Sequence, residues 1–427
     1  MAETTAAVRN ALEFEQTNWV DGISVSDDEF YTPPAYSEKD PAGKLLKVDD
    51  RVDASKYLLP PGTALSRILY LSQTIAGAVV PVSAFILWPY SPKTHSDGLY
   101  PVVAWAHGTS SFCQDGAPSH HKNLWQHFLA PYQIALNGYV VVATDYAGLG
   151  VHHDARGDPI THTYLAAPAH ANDIVFAVPA ARAAFPDKLS KDFVTIGHSQ
   201  GGGATWAVAE RQAITPTEGC LGCIAVSPPT RVLDEPEPFG SIIFAAMTEG
   251  MKATLPDTDL AAILTPEGQQ RLETARQANA GTASIVQMLL GTDLLQPDYK
   301  TNKHVQQYQD TVASGRKAIG CPMLIVHGAA DPRISIATVQ TAFEQTKASF
   351  PQSEIELAIL PGVTHAPALT AGQRLWMEWI ADRFARKPFE KQASVSSIVV
   401  EPARSVERYA VEQNWYLESA TEFHHAP

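Results

Sequence analysis

After residue 60, short apolar runs alternate with longer amphipathic stretches along most of the chain. Residues 68–74 and 79–89 read as two paired strands of β-branched and aromatic residues. Continuous apolar runs, typical of strands buried on both faces, follow at 101–106, 139–145, 193–196, 220–226, 321–327 and 355–360. Helical patterns separate them, at 123–137, 163–184, 201–212, after Ser335 and at 373–385. This alternation predicts an α/β fold with a mostly parallel central sheet and helices on both faces.

One block interrupts the alternation. Between Thr230 and about Lys317 the chain has helical patterns, such as the cap Thr265-Pro266, but no strand pattern. That is too long for an ordinary connection, so it predicts a helical lid over the carboxyl edge of the sheet. The chain then divides into an N-terminal arm (1–60), a core (61–230 and 318–387), the lid (231–317) and a C-terminal extension (388–427). The extension has a strand pattern at 395–400 and an aromatic pair, Trp415 and Tyr416.

Charge and composition narrow the classes of partner. Lys and Arg number 31 against 45 Asp and Glu, a formal net charge of −14, and no basic stripe is present. We therefore expect no nucleic-acid partner. No apolar run is long enough to predict a transmembrane helix. The first thirty residues lack the apolar segment of a secretion signal, which predicts a cytoplasmic protein, or a secreted one if a leader has been removed. The sequence leaves the oligomeric state open.

The chain contains four cysteines, Cys113, Cys220, Cys223 and Cys321, which is too few for a disulfide scaffold at this length. Cys220 and Cys223 have the spacing of a redox or zinc motif. A zinc site needs further ligands nearby, and none is evident in the sequence. We therefore interpret the pair as small core residues of a strand, with a disulfide as the alternative, and predict no metal.

The segment Gly197-His198-Ser199-Gln200-Gly201 carries the strongest chemical signal. It fits the G-x-S-x-G pattern between a buried strand and a helix of small residues, where a serine is exposed on a sharp turn. Glycine is needed on each side because larger residues two positions away would collide. The segment predicts a nucleophile elbow with Ser199 as the nucleophile.

A serine nucleophile needs a general base, and the base needs a carboxylate that orients it. In folds that carry this elbow, the acid and then the histidine follow the serine along the chain. Asp331 comes just after the predicted strand 321–327, and His365 just after the strand 355–360. The carboxyl ends of parallel strands lie at one edge of a sheet, so we expect Ser199, Asp331 and His365 to meet there as a triad.

Acyl transfer also requires hydrogen-bond donors for the developing oxyanion. The backbone N–H of Gln200 is one candidate. The second is expected in the loop after strand 101–106, which reads His107-Gly108-Thr109-Ser110. We predict Thr109 as the donor, with Ser110 as the alternative.

Four segments taken together resemble the secretory lipases of fungi and bacteria, the lipase A-like branch of the α/β-hydrolases. The similarity covers roughly residues 68–386 and implies an α/β-hydrolase fold, carboxylic ester hydrolysis, a helical lid and the triad Ser199, Asp331 and His365. The segments are Trp105-Ala-His-Gly-Thr109, Gly116-Ala-Pro-Ser119, Thr144-Asp-Tyr-Ala-Gly-Leu-Gly150 and Gly197-His-Ser-Gln-Gly201.

These features predict a serine hydrolase that acts through an acyl-enzyme and needs no cofactor. Apolar residues in the lid predict a small-molecule substrate, a medium-sized hydrophobic acyl or aryl ester or a lactone. The predicted pocket residues are Phe239, Ile242, Ile243, Met247 and Met251. The same triad serves an acyltransferase or a hydrolase of amide, peptide or carbon–carbon bonds, and these remain alternatives. A non-catalytic binding protein on the same scaffold is the least favoured interpretation.

Overall fold

A computed structural model describes residues 6–125, 129–291, 293–389 and 397–409. Its helices are α1 (Ala6–Thr17), α2 (Pro131–Leu136), α3 (Ala167–Ala184), α4 (Gln200–Ile214), α5 (Phe239–Thr254), α6 (Pro266–Gln277), α7 (Thr282–Leu289), α8 (Lys303–Val312), α9 (Ile336–Ser349), α10 (Pro367–Ala371) and α11 (Gln373–Phe384). Its strands are β1 (Leu45–Asp49), β2 (Thr63–Gln73), β3 (Val79–Pro89), β4 (Tyr100–Ala106), β5 (Val140–Thr144), β6 (Leu189–His198), β7 (Cys220–Val226), β8 (Met323–Gly328), β9 (Ile355–Leu360) and β10 (Ile398–Val399).

All ten strands form one sheet in the order β1-β2-β3-β5-β4-β6-β7-β8-β9-β10. The pairs from β1 to β5 are antiparallel, and every pair from β5 to β10 is parallel. The mostly parallel sheet and the α/β-hydrolase fold class predicted from the sequence are therefore confirmed. Strand β1 lies within the predicted N-terminal arm and extends the sheet through its pairing with β2.

The strand order reverses around β4. Strand β5 lies on one side of β4, and the next strand in the chain, β6, lies on the other. At such a switch point the loops after two neighbouring strands diverge and leave a crevice at the carboxyl edge of the sheet. The loop after β4 begins at His107, and Ser199 directly follows β6. The topology thus brings the predicted oxyanion loop and the predicted nucleophile to one crevice.

The central strands are buried on both faces, which is why their sequences are continuously apolar. Along β6, Phe193 faces the side covered by α3, α4 and α9, whereas Val194 and Ile196 face the side covered by α2 and α11. Trp206 of α4 and Trp376 of α11 are fully buried against these opposite faces. This packing on both sides holds the edge that carries Ser199.

Helices α5 to α8 form a helical insertion between β7 and β8, and within its described residues no strand of the sheet occurs. The N-terminal helix α1 packs on α7 of this insertion. The Glu15 carboxylate there accepts hydrogen bonds from the backbone N–H groups of Gly281 (2.9 Å) and Ser284 (3.0 Å). Glu15 therefore caps the start of α7, where free N–H groups favour a negative charge.

Two local predictions differ from the structure or fall outside it. The helical pattern at 123–137 corresponds to a shorter helix, Pro131–Leu136, and the described residues 123–125, 129 and 130 lie outside it. Pro131 stands in the first turn, where its missing N–H is tolerated. In the C-terminal extension the strand comprises Ile398–Val399. Trp415 and Tyr416 lie outside the described residues.

Among the described helices, none combines the length and the apolar character that a membrane span requires.

Candidate active site

Ser199 stands on a sharp turn between β6 and α4. Its backbone angles are φ 54° and ψ −119°, a conformation that residues other than glycine rarely adopt. Such a conformation costs on the order of 1–3 kcal/mol and persists only where the surroundings impose it. Here the Ser199 N–H donates to the Val226 carbonyl (2.9 Å), and the Ser199 carbonyl accepts from the Gly203 N–H (3.0 Å). The strained turn is therefore held at both ends by hydrogen bonds.

The glycines of the elbow are required by close approach of the backbone. A Cβ atom at Gly197 would collide with the Gly201 carbonyl and the Thr205 side chain. One at Gly201 would collide with the Ala106 carbonyl, where β4 ends. The predicted reason for glycine at these positions is thus visible as steric contact. The second contact also sets how closely α4 approaches the loop after β4.

Asp331 and His365 form a short hydrogen bond. His365 Nδ1 lies 2.6 Å from Asp331 Oδ2, slightly shorter than the roughly 2.7–2.9 Å that is usual for a charge-assisted N–H···O bond. The Asp331 side chain is fully buried and the His365 side chain is 8% exposed, so water hardly competes for this bond. The other Asp331 oxygen accepts from the backbone N–H groups of Arg333 (2.8 Å) and Ile334 (3.0 Å). These two bonds orient the carboxylate towards the imidazole.

The main chain of His365 is anchored beside the elbow. Its carbonyl oxygen accepts from His198 Nε2 (3.2 Å) and from the Ser227 hydroxyl (3.3 Å). The His198 and His365 rings are 4.8 Å apart between centroids. His198 directly precedes Ser199, and Ser227 directly follows Val226, whose carbonyl accepts from the Ser199 N–H. The structure thus brings all three predicted triad residues to one edge of the sheet.

The surroundings of Asp331 keep it ionised. Burial raises the pKa of this carboxyl group, but the hydrogen bond and the charge of His365, with the Ile334 and Arg333 amides, outweigh burial. The net pKa of Asp331 is therefore lowered from its ordinary value. A carboxylate that stays charged holds the neighbouring imidazole in the tautomer whose Nδ1 carries a proton.

The peptide planes of the predicted oxyanion loop are fixed by contacts to their carbonyl groups. The Gly108 carbonyl accepts from Trp125 Nε1 (3.0 Å), and the Thr109 carbonyl accepts from the Thr282 hydroxyl of the insertion (2.8 Å). In a trans peptide the N–H points opposite to the C=O. The N–H of Thr109 therefore points away from Trp125, and the N–H of Ser110 points away from Thr282. As the first residue of α4, Gln200 has a backbone N–H without an acceptor in the helix.

A model of the alpha/beta hydrolase family matches residues 103–376, which is more than half of the 427-residue chain. The match runs from β4 to α11 and includes Ser199, Asp331 and His365. The chain belongs to the alpha/beta hydrolase family. No curated protein matches this sequence.

Solved structures support the same fold. This hydrolase is similar to Candida antarctica lipase A, with a TM-score of 0.72 and 18% sequence identity over 88% of this chain and 90% of that one. It is also similar to LipA of Xanthomonas oryzae, a rice cell wall degrading esterase, with a TM-score of 0.64 and 18% identity over 82% of this chain and 100% of that one. At this identity the similarity concerns the fold.

Sequence reasoning did not find the role of the Gln200 side chain in this hydrolase. Its Nε2 atom lies 3.2 Å from His162 Nε2 and 3.3 Å from His170 Nε2, both in buried residues. His162 Nδ1 faces the Ala147 carbonyl (2.9 Å). It therefore carries the ring proton, which leaves Nε2 to accept from Gln200. Burial lowers the pKa of His162 well below its ordinary value, so the ring is neutral. The two histidines thus anchor Gln200, the residue directly after the nucleophile. No spacing in the sequence links either histidine to Gln200.

A small cavity of about 10 Å³, roughly the room that one water molecule needs, lies between Gln200 and the helical insertion, and it is bordered by Leu165, Pro229 and Met247. Binding sites for small molecules usually enclose about 300–1,000 Å³, so this cavity is smaller than a typical ester site.

The predicted pocket residues occupy different positions. Met247 borders the cavity, whereas Phe239, Ile243 and Met251 are not among its lining residues. Met251 is fully buried in the core and Ile243 nearly so, as is the neighbouring Ile242. Phe239 is partly buried, with the Arg333 guanidinium 5.8 Å from its ring centroid.

Proposed function

We propose that this protein is a serine hydrolase that cleaves carboxylic esters through an acyl-enzyme on Ser199. The observation that carries the proposal is the buried 2.6 Å bond between Asp331 and His365, anchored beside a serine in a strained elbow. Such strain costs stability and is concentrated at functional sites. A buried acid–base pair beside a strained serine is the arrangement that acyl transfer requires.

In the proposed mechanism, His365 accepts the Ser199 proton at Nε2 while the serine oxygen attacks the ester carbonyl carbon. Asp331 holds Nδ1–H and stabilises the imidazolium that forms. The imidazolium then passes its proton to the leaving alcohol, and the carbon–oxygen bond of the ester breaks. In the second half, water gives a proton to His365 while its oxygen attacks the carbonyl carbon of the acyl-enzyme. His365 then passes this proton to the Ser199 oxygen as the bond between that oxygen and the acyl carbon breaks, which releases the acid and restores Ser199.

The backbone N–H groups of Gln200 and Thr109 are the proposed oxyanion donors, with Ser110 as the alternative to Thr109. The fixed peptide planes of the loop and the anchored Gln200 side chain support these assignments, because donors that need no reorganisation stabilise developing charge best. Each donor of this kind contributes roughly 10²–10³ in rate.

The proposed substrate is a medium-sized hydrophobic ester, and the helical insertion is the proposed lid. Apolar side chains border the cavity beside Gln200, which supports an apolar acyl or aryl group. The small size of that cavity indicates that the insertion must move before such a substrate enters. Loops and helices that close over a site in this way exclude water during the reaction.

The proposal is tested with Ser199→Ala and His365→Ala in hydrolysis of activated p-nitrophenyl esters of increasing acyl length. We expect each variant to lower kcat by roughly 10⁴–10⁶. The matched control is Ser190→Ala, since Ser190 is a buried serine at the opposite end of β6 that donates to Asp97. Activity near that of wild type in either triad variant contradicts the assignment. If an added alcohol captures most of the acyl group, the protein is an acyltransferase instead.

A further inference from the structure

Three of the four cysteines meet at the edge of the sheet opposite to Ser199. Cys220 and Cys223 belong to the start of β7, and Cys321 directly precedes the start of β8. Their sulfur atoms all lie within 4.8 Å of one another, and the Cys223 and Cys321 sulfurs are 3.5 Å apart. The sequence shows only the first two as a motif, because the whole helical insertion separates Cys321 from them.

A strand irregularity brings Cys220 and Cys223 to the same face. Residues three apart in a regular strand point to opposite faces. Here the register shifts, so that Phe193 pairs with Cys220 while Val194 pairs with Gly222, and Leu221 is the additional residue. Both cysteines accordingly pack on the side of α3 and α4, whereas Leu221 packs on the side of α11.

The cluster has the dimensions of a metal site. In tetrahedral coordination with metal–sulfur bonds of about 2.3 Å, neighbouring thiolate sulfurs are about 3.8 Å apart. The Cys223–Cys321 separation of 3.5 Å is close to this value, and no pair of sulfurs in the cluster is more than 4.8 Å apart. Within the described part of the chain, no fourth His, Cys, Asp or Glu joins the group. Three thiolates favour soft, thiophilic ions, and a solvent molecule would complete a fourfold site. We propose that Cys220, Cys223 and Cys321 bind one thiophilic metal ion of the Zn²⁺ class.

Charge and access are compatible with this site. Three thiolates and a divalent cation leave one net negative charge, and the Arg211 guanidinium is close enough to Cys220 to interact with it electrostatically. Cys220 and Cys321 are partly exposed residues while Cys223 is buried, which places the cluster close to the protein surface. A bound ion would link β7 to β8. The helical insertion leaves the sheet after β7 and returns to it at β8. The site is independent of the proposed ester hydrolysis.

The test is equilibrium dialysis of the reduced full-length protein against Zn²⁺, with metal counted by mass spectrometry. We expect one Zn²⁺ per chain, and a higher melting temperature with Zn²⁺ than without. Changes to residues that only support metal ligands weaken metal binding roughly 10- to 100-fold. Cys223→Ser and Cys321→Ser each remove a ligand, so each should weaken Zn²⁺ binding by more than this. The matched control is Cys113→Ser, because Cys113 is buried elsewhere, with its sulfur 3.7 Å from the Ala275 carbonyl. This variant should bind Zn²⁺ like wild type.

A second measurement needs no variant. Cd²⁺ added to the wild-type protein should produce a sulfur-to-cadmium absorption band that saturates at one ion per chain and should protect Cys220 and Cys321 from alkylation. Absence of that band, or equal Zn²⁺ binding by wild type and a folded Cys223→Ser, overturns the proposal. A disulfide within the cluster would lower the protein mass by two hydrogen atoms. If such a disulfide is found and its reduction restores no metal binding, the proposal is also overturned.

Discussion

Asp331→Asn is the most discriminating change at the proposed triad, because it alters one atom and leaves most contacts intact. The amide oxygen of asparagine can still accept from the N–H groups of Arg333 and Ile334. The amide nitrogen, however, replaces the oxygen that lies 2.6 Å from His365 Nδ1. Two donors then face each other, so the imidazole must move its proton from Nδ1 to Nε2. In that tautomer Nε2 cannot accept the proton of Ser199.

The size of the effect distinguishes two roles for Asp331. If it contributed only a hydrogen bond to a charged group, worth about 1.5–3 kcal/mol, its loss would lower kcat by roughly 10- to 150-fold. If it sets the tautomer of His365, the loss is about 10⁴-fold, or about 5.4 kcal/mol. The buried, almost fully shielded bond favours the larger value. Since the pKa of Asp331 is lowered from its ordinary value, the carboxylate is charged throughout the usual assay range.

The assay is steady-state hydrolysis of an activated ester, with urea unfolding of each variant measured in parallel. The control is Asp192→Asn, which removes a buried carboxylate near the other end of β6, where it contacts His95 and Arg386. This control should lose stability but keep its kcat. A kcat for Asp331→Asn within tenfold of wild type, in a folded protein, refutes the role of Asp331. Glu235, a buried carboxylate whose pKa the Asp331 charge affects, would then be the next residue to test.

Three further changes have expected outcomes. Gly201→Ala should lower kcat by about 10²-fold, because its methyl group displaces the elbow from the Ala106 carbonyl; an unchanged kcat would show that the elbow can shift freely. Gln200→Ala should lower the free energy of unfolding by about 1–3 kcal/mol, since the His162 and His170 rings lose their donor, and should lower kcat less than Ser199→Ala does. Burial raises the pKa of Glu210 to about 7, so the folded state holds this proton more tightly than the unfolded state. Stability should then fall as the pH rises from about 4.5 to about 7, and urea unfolding of Glu210→Gln should show a weaker fall.

The sheet and the elbow could be predicted because their signals are local. Burial on both faces makes each central strand a continuous apolar run, and the boundaries 355–360 match β9. The turn at Ser199 excludes side chains at Gly197 and Gly201, so a segment of five residues is enough to recognise it. The helix at 131–136 is shorter than the predicted 123–137, because an apolar pattern of helical period does not show where a helix begins.

Contacts between distant segments could not be predicted, because no local pattern encodes them. The histidines that hold Gln200 precede it by at least thirty residues and join it only when α3 packs beside α4. Cys321 joins Cys220 and Cys223 only because β8 pairs with β7 across the returning insertion, and because a bulge turns Cys220 to the same face. The sequence by itself determined the order of the strands and helices and the identity of the proposed nucleophile, acid and base. Tertiary structure alone decided the strand pairing at the sheet edges, the support of the oxyanion donors and the meeting of three thiols, since each depends on backbone segments that only packing brings together.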